Sequence, residues 1–314
     1  MLRGGLSQAG RVGVRSLSSH TPQTSIQNVT IIGAGLMGAG IAQVGASSGF
    51  QVTLVDKDPA ILEKSIAGID KSLARVAKKK IPDDSAGAKE FVAEAKKLLS
   101  TETSLAKAVA GADLVVEAVV ENLALKQALF QDIEAAASPT AILASNTSSL
   151  KLRDIAVPLK NRERFGGLHF FNPVPVMKLL EVVRHSETSD ATFAELQAWG
   201  KRMGKVTVAC KDTPGFIVNR LLVPYLAEAV RMAERGDASP EDIDIAMKLG
   251  AGYPMGPFEL ADYVGLDTNK FILDGWEADY PEQELFQSIP MLNKLVEEGK
   301  LGRKSGEGFY KYEK

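Results

Sequence analysis

Six residues constrain this chain more than any others: Gly33-Ala34-Gly35-Leu36-Met37-Gly38. They follow the apolar run Asn28–Ile32, which reads as a buried parallel strand. They open a helical stretch that runs to about Ser48, and the next strand, Gln51–Val55, ends on an acid, Asp56. A glycine triplet in that setting is the phosphate-binding turn of a dinucleotide fold. Gly33 permits the tight turn, Gly35 lets backbone approach a pyrophosphate, and Gly38 lets helix and strand pack closely. The helix start offers free N–H groups and a positive dipole end to phosphates. Asp56 is placed to accept bonds from the adenosine ribose hydroxyls and to repel a 2′-phosphate, which selects NAD over NADP. Lys57 beside it could soften that choice. A flavin would accept the same turn, but the chain shows no second cofactor motif.

The rest of the first two hundred residues extends the pattern. Short apolar runs at 114–119, 141–144, 165–169, 179–183 and 206–209 read as strands, with helical stretches at 123–137 and 190–203. Alternating strand and helix predicts an α/β fold, a Rossmann-type doubly wound and mainly parallel sheet. One segment departs from it. Between Asp56 and Leu99, Leu62, Ile66, Ile69, Leu73 and Val76 recur at helical spacing, Pro82-Asp83-Asp84-Ser85 turns and caps, and Phe91, Val92, Ala95, Leu98 and Leu99 give a second apolar face. The expectation is an inserted helical hairpin forming one wall of a cleft. After Asp212-Thr213-Pro214-Gly215 the chain reads as helices at 216–235, 240–249, Pro257–Val264 and 268–278. The domains expected are 26–210 for the dinucleotide and 211–314 for an all-α domain serving substrate and dimer contact. Pro214 and Gly215 are the hinge candidates.

The 3 histidines differ in setting. His20 lies in the N-terminal stretch, and His185 follows Arg184 at the end of an apolar run, where solvent is expected. His169 ends a strand-like run among aromatics, with Glu181 further along the chain. Imidazole can take and return a proton near neutrality. A carboxylate on its other nitrogen would fix the tautomer and support the cation. Beside a dinucleotide turn, that pair suits alcohol–ketone interconversion. Ser148 follows a strand's carboxyl end, where ligands bind in such sheets; Ser148 and Ser149 could equally cap a helix starting near Leu150. Ser72, Arg75 and Lys79 share one helix face, suited to a phosphorylated substrate handle.

Composition narrows the class. A net charge of -2 points to neither nucleic acid nor an anionic membrane surface. No apolar stretch is long enough to span a bilayer. The single cysteine, Cys210, forbids an intrachain disulfide and reads as a small buried residue. No cysteine–histidine cluster suggests a metal. Residues 1–25 carry Arg3, Arg11 and Arg15 among Leu, Val, Ser and Gly, with no acid before Asp56, which is the composition of a mitochondrial presequence.

Four segments, GAGLMG at 33–38, SNTSSL at 145–150, GLHFFNPVPVMKLLEVV at 167–183 and KDTPGFIVNRLLVPYL at 211–226, resemble the L-3-hydroxyacyl-CoA dehydrogenases of mitochondrial fatty-acid β-oxidation. The similarity runs from about Val29 to Tyr312. The resemblance implies NAD-dependent oxidation of an acyl-CoA in the mitochondrial matrix by a homodimer. It implies that His169 is the base, that Glu181 orients it, and that Ser148 and Asn219 bond the substrate around the reacting oxygen. It places Asn172 at the nicotinamide and Leu36, Met37, Glu121, Lys126, Ser148 and Lys304 on the cofactor. It assigns Ser72, Lys79 and Ser148 to the CoA substrate. A related NAD(P)-dependent 3-hydroxy acid dehydrogenase, or a dinucleotide-binding structural protein without turnover, are the alternatives; loss of His169 or Glu181 would have marked the second.

Overall fold

A computed structural model describes residues 23–313. The presequence reading therefore lies, apart from its last three residues, outside the described residues. In chain order the elements are β1 (Asn28–Ile32), α1 (Leu36–Ser47), β2 (Gln51–Val55), α2 (Pro59–Lys80), α3 (Ser85–Lys97), β3 (Leu99–Glu102), α4 (Leu105–Val109), β4 (Leu114–Glu117), α5 (Leu123–Ala136), β5 (Ile142–Ser145), α6 (Leu152–Ile155), β6 (Phe165–Phe170), β7 (Leu179–Arg184), α7 (Asp190–Arg202) and β8 (Val206–Lys211). The helices α8 (Val218–Glu234), α9 (Pro240–Gly250), α10 (Pro257–Val264), α11 (Leu266–Asp279) and α12 (Pro290–Glu297) follow.

The strands form one sheet in the order β3-β2-β1-β4-β5-β6-β7-β8. Every neighbouring pair is parallel except β6–β7. Successive residues point to opposite faces, so Ile31, Leu54 and Val116 join one core with Ile41, Leu73 and Trp199, while Ile32, Val55 and Val115 join another with Phe130, Ile155 and Phe165. Both faces are covered, which is why the strands read as continuous apolar runs. The chain leaves β1 toward β2 and β3, then returns to place β4 on β1's other side. The carboxyl ends of β1 and β4 therefore flank the crevice where such sheets bind ligands.

The inserted hairpin is α2 and α3. Asp58 caps α2 by accepting from the Ala60 amide, with Pro59 at its first turn, and Asp84 caps α3 through the Gly87 amide. Leu62, Ile69, Leu73 and Ala77 are the buried stripe of α2. The C-terminal helices close around Leu226, Phe258, Trp276 and Phe286. Two buried aspartates tie the last segment to them: Asp244 accepts from the Phe258 and Glu259 amides and the Tyr310 hydroxyl, and Asp262 from the Phe309 and Tyr310 amides and the Tyr312 hydroxyl.

The structure departs from expectation at several points. Leu99 does not end the hairpin; it starts β3, whose Leu-Ser-Thr-Glu carries no apolar run and forms by pairing with the edge of β2. The strand expected at 114–119 stops at Glu117, whose carboxylate turns back to accept from the Val119 amide. The helix expected from Phe216 starts at Val218, because Phe216 has φ +54°, outside the right-handed helical region. The helix α12 has no counterpart in the sequence reading. His185 is not at the solvent: it is 4% exposed, its Nε2 lies 3.2 Å from the Arg162 carbonyl, and burial lowers its pKa. Cys210 is half-buried rather than enclosed.

Candidate active site

The glycine turn has the shape its sequence demands. Gly33 has φ +99°, and a Cβ there would lie 2.7 Å from the Ala118 carbonyl oxygen. A Cβ on Gly38 would lie 1.8 Å from the Gly33 carbonyl oxygen. Gly35, by contrast, faces open space, with nothing within 4 Å of a Cβ built on it. It is the N-cap of α1, and that helix start has neither a side-chain cap nor an acid in its first turn. The free N–H groups and the open approach fit a pyrophosphate. Asp56 buttresses the turn: one carboxylate oxygen accepts from the Ala34 amide at 3.0 Å and the other from the Asp58 amide at 3.2 Å. Ser65 on α2 bonds the Ala34 carbonyl. Leu36, the first residue of α1, is strongly exposed.

This contrast separates fold from binding. Gly35→Ala is expected to fold with an unchanged melting temperature, since the added methyl meets nothing and φ is -69°. It is expected to weaken NADH binding by about tenfold, roughly 1.4 kcal/mol, by filling the phosphate approach. Gly38→Ala is expected to lower the melting temperature as well. Thermal melts and NADH fluorescence titrations check both; an equal effect of the two variants on folding contradicts the assignment.

The second half of the site comes from the one antiparallel step in the sheet. Register on β6 and β7 sets His169 directly opposite Glu181. Their side chains meet at 2.6 Å, His169 Nδ1 to Glu181 Oε2, at 3% and 0% exposure. A carboxylate oxygen only accepts, so Nδ1 donates, and in the neutral imidazole Nε2 presents its lone pair. That lone pair lies 3.1 Å from Ser148 Oγ. The other oxygen of Glu181 accepts from the Ile217 and Val218 amides, 3.2 and 2.8 Å, at the start of α8. One carboxylate thus orients the imidazole and anchors the first helix after the sheet, where the dipole favours negative charge. Asn219 in the same turn donates to the Ser148 carbonyl at 3.4 Å. Phe171 and Phe216 flank the imidazole, with ring centroids 4.5 and 5.4 Å away. The positive φ of Phe216 and of Gly215, whose Cβ would lie 2.6 Å from the Trp276 ring, fit this close packing.

A buried network behind Ser148 joins Lys126 and Glu121, both expected at the site, to Glu117, which the sequence did not single out. Glu117, fully buried, accepts from Lys126 Nζ at 2.7 Å on one oxygen and from Ser145 Oγ at 2.6 Å on the other. Lys126, 1% exposed, also pairs with Glu121 at 3.2 Å. Glu121 accepts from the Ser148 amide at 2.6 Å and the Thr147 hydroxyl at 2.9 Å. Ser148 is therefore held from below by its amide, which leaves its hydroxyl for Nε2. A glutamate inside the apolar strand Leu-Val-Val-Glu was the available signal, since a buried charge requires a partner. Neither Ser148 nor Ser149 caps a helix: Thr147 Oγ1 accepts from the Leu150 amide, and Asp212 accepts from the amides of Leu152 and Arg153 at the start of α6.

His169, Glu181, Ser148 and Asn219 are thus brought together, and Glu121 and Lys126 lie directly behind them. Asn172 is exposed just past β6. Ser72 and Lys79 are apart from this cluster, on α2, half-buried and exposed respectively. Lys304 is placed in the helical C-terminal part, where its Nζ bonds Asp267 at 2.6 Å.

A nucleotide-binding turn and an oriented histidine at one end of a doubly wound sheet define a class, the NAD-dependent dehydrogenases. The model of the family described as 3-hydroxyacyl-CoA dehydrogenase, NAD binding domain, matches residues 28–213, and that of its C-terminal domain matches residues 215–312. Among curated proteins, the chain is 62% identical over 307 residues to a probable 3-hydroxyacyl-CoA dehydrogenase of Caenorhabditis elegans, covering 98% of this chain and 99% of that one. It is 59% identical to the mitochondrial hydroxyacyl-coenzyme A dehydrogenase of Rattus norvegicus, over 95% of this chain and 97% of that one. The crystal structure of (S)-3-hydroxybutyryl-CoA dehydrogenase from Ralstonia eutropha superposes with a TM-score of 0.87 at 39% identity, covering 92% of this chain and 100% of that one. The chain belongs to the 3-hydroxyacyl-CoA dehydrogenase family.

Proposed function

We propose that this protein oxidises L-3-hydroxyacyl-CoA to 3-oxoacyl-CoA with NAD, in fatty-acid β-oxidation. The observation that carries the reading is the line Ser148 Oγ, His169 Nε2, His169 Nδ1, Glu181 at the mouth of the dinucleotide crevice. Bound NAD supplies the hydride acceptor. His169 Nε2 takes the proton of the substrate's 3-hydroxyl, and in reduction the imidazolium returns it to the 3-oxo oxygen. Glu181 stabilises the imidazolium and keeps the tautomer. Ser148 Oγ and Asn219 Nδ2 bond the reacting oxygen, and Asn172 borders the nicotinamide. Lys126 is too enclosed to reach far; it acts on the cofactor side by holding Glu121. The exposed Lys79 and its neighbour Ser72 take the CoA moiety on α2. For Lys304 to meet the cofactor, it must leave Asp267.

The same reading divides the chain at 26–210 and 211–314, with residues 1–25 as a presequence for import into the mitochondrial matrix. Relatives named as mitochondrial support the organelle. A homodimer through the helical domain is supported by the exposed apolar side chains Ile245, Leu249, Tyr263 and Phe271. Closure of the two domains on substrate would turn about Pro214 and Gly215; identical domain angles in free and ternary crystals would sink that point.

The test is NADH oxidation by the purified protein with acetoacetyl-CoA, beside free acetoacetate and beside NADPH. Turnover with the thioester, and much less with the free acid or with NADPH, is expected. Equal rates with acid and thioester would move the reading to a 3-hydroxy acid dehydrogenase. No turnover in a folded protein that binds NADH would leave a non-catalytic dinucleotide-binding protein.

A further inference from the structure

We propose that Lys205 is a positioning residue for the cofactor site, holding the segment 173–177 against α1 and so fixing Asn172 at its head. The inference rests on the proposed placement of Asn172 at the nicotinamide. Lys205 follows α7, far along the chain from both the glycine turn and His169, and no motif marks it. Yet the residue is only 8% exposed. Its ammonium donates to two main-chain carbonyls, Val174 at 2.5 Å and Met177 at 2.7 Å, rather than to a carboxylate. It also lies 5.9 Å from the centre of the Phe170 ring, the residue after His169.

A buried ammonium without a counter-ion is costly. Burial pushes its pKa down to about 8, the sign of that cost. A fold needing only to fill this space would do better with methionine. What the ammonium does here is specific: it crosslinks the two ends of a turn whose own bonds run from the Val176 and Met177 amides to the Pro173 carbonyl. The turn is pinned again from its other side. Val174 is 2% exposed and sits on α1, where a Cβ on Gly40 would lie 2.9 Å from the Val174 Cβ. Gly40 is two residues past Gly38 in the helix whose start forms the phosphate turn. The turn after Asn172 therefore has a fixed contact with the phosphate-binding helix on one side and a fixed donor, Lys205, on the other. Val176 and Met177 are left exposed on its outer surface.

The experiment is an NADH fluorescence titration on Lys205→Met, Gly40→Ala and Asn172→Ala, with melting temperatures and the KM for acetoacetyl-CoA measured alongside. The expected result for Lys205→Met is an NADH Kd raised by about tenfold, with the acetoacetyl-CoA KM held within about twofold, because the CoA contacts are proposed on α2. A purely structural lysine would lower the melting temperature and leave NADH affinity alone. Gly40→Ala reaches the same turn by a different route: alanine favours the helix, so the variant folds, while its methyl displaces Val174. It should show the same selective loss, and it decides the matter if Lys205→Met does not fold. Wild-type NADH affinity in folded Lys205→Met or Gly40→Ala, beside weakened binding in Asn172→Ala, overturns the role of Lys205 alone. Wild-type binding in Asn172→Ala overturns the placement of Asn172, and the Lys205 proposal with it.

Discussion

His169→Gln will fold, bind NADH within about twofold of wild type, and reduce acetoacetyl-CoA about 10²–10⁴ times more slowly, the range that a positioned proton donor contributes. Glutamine is the informative replacement. Its amide can reach the place of the imidazole edge and bond Ser148 Oγ, but it cannot carry a proton at working pH. Burial and cross-strand pairing of this position are retained, so a lost rate reports chemistry rather than folding. Steady-state rates, with NADH affinity and melting temperature on the same preparation, check it. A rate within about tenfold of wild type would mean that the proton passes elsewhere.

Glu181→Gln is expected to cost about 10²–10⁴ in turnover, by a different route. The side chain must still face two amide donors, Ile217 and Val218, on one side and His169 Nδ1 on the other. A glutamine that turns its oxygen to the amides presents its NH₂ to Nδ1. That nitrogen must then accept, and the ring proton moves to Nε2, where the substrate's proton has to go. Turned the other way, the NH₂ opposes two buried N–H groups. Only this second orientation carries a penalty, about 1–3 kcal/mol for the opposed donors, so the first, with the wrong tautomer, prevails. The two variants should therefore separate: Glu181→Gln loses rate through the tautomer with its bonds kept, whereas His169→Gln also loses about 1–3 kcal/mol of stability by leaving the buried Glu181 Oε2 without its Nδ1 donor. A double variant no slower than His169→Gln alone would confirm that the carboxylate acts through the imidazole.

Much of this was legible because local physics and the global fold agree at the positions concerned. Gly33 and Gly38 announce a turn that only glycines permit, and Gly35 leaves the approach to it open. The strands of the central sheet were readable as apolar runs because both faces are buried. What the sequence concealed lies where tertiary pairing decides. Strand β3 has no apolar signature and exists because β2 has a free edge. Helix α8 starts two residues late because Phe216 is folded onto His169 with a positive φ. His185 follows a charged residue yet is enclosed. The Glu117–Lys126–Glu121 network and the Lys205 anchor involve ordinary polar residues whose burial no periodicity shows. His169 and Glu181 could be paired by residue type, but their contact depends on the single antiparallel register in an otherwise parallel neighbourhood.

In the proposed reaction the substrate's reacting oxygen sits at His169 Nε2, between Ser148 and the cofactor. The most direct test is a crystal structure of the slow His169→Gln variant with acetoacetyl-CoA and NADH bound. The 3-oxo oxygen is expected within about 3 Å of both the residue-169 side chain and Ser148 Oγ, with the carbonyl carbon facing the nicotinamide. A 3-oxo group bound away from residue 169, with the nicotinamide in the crevice, would contradict it.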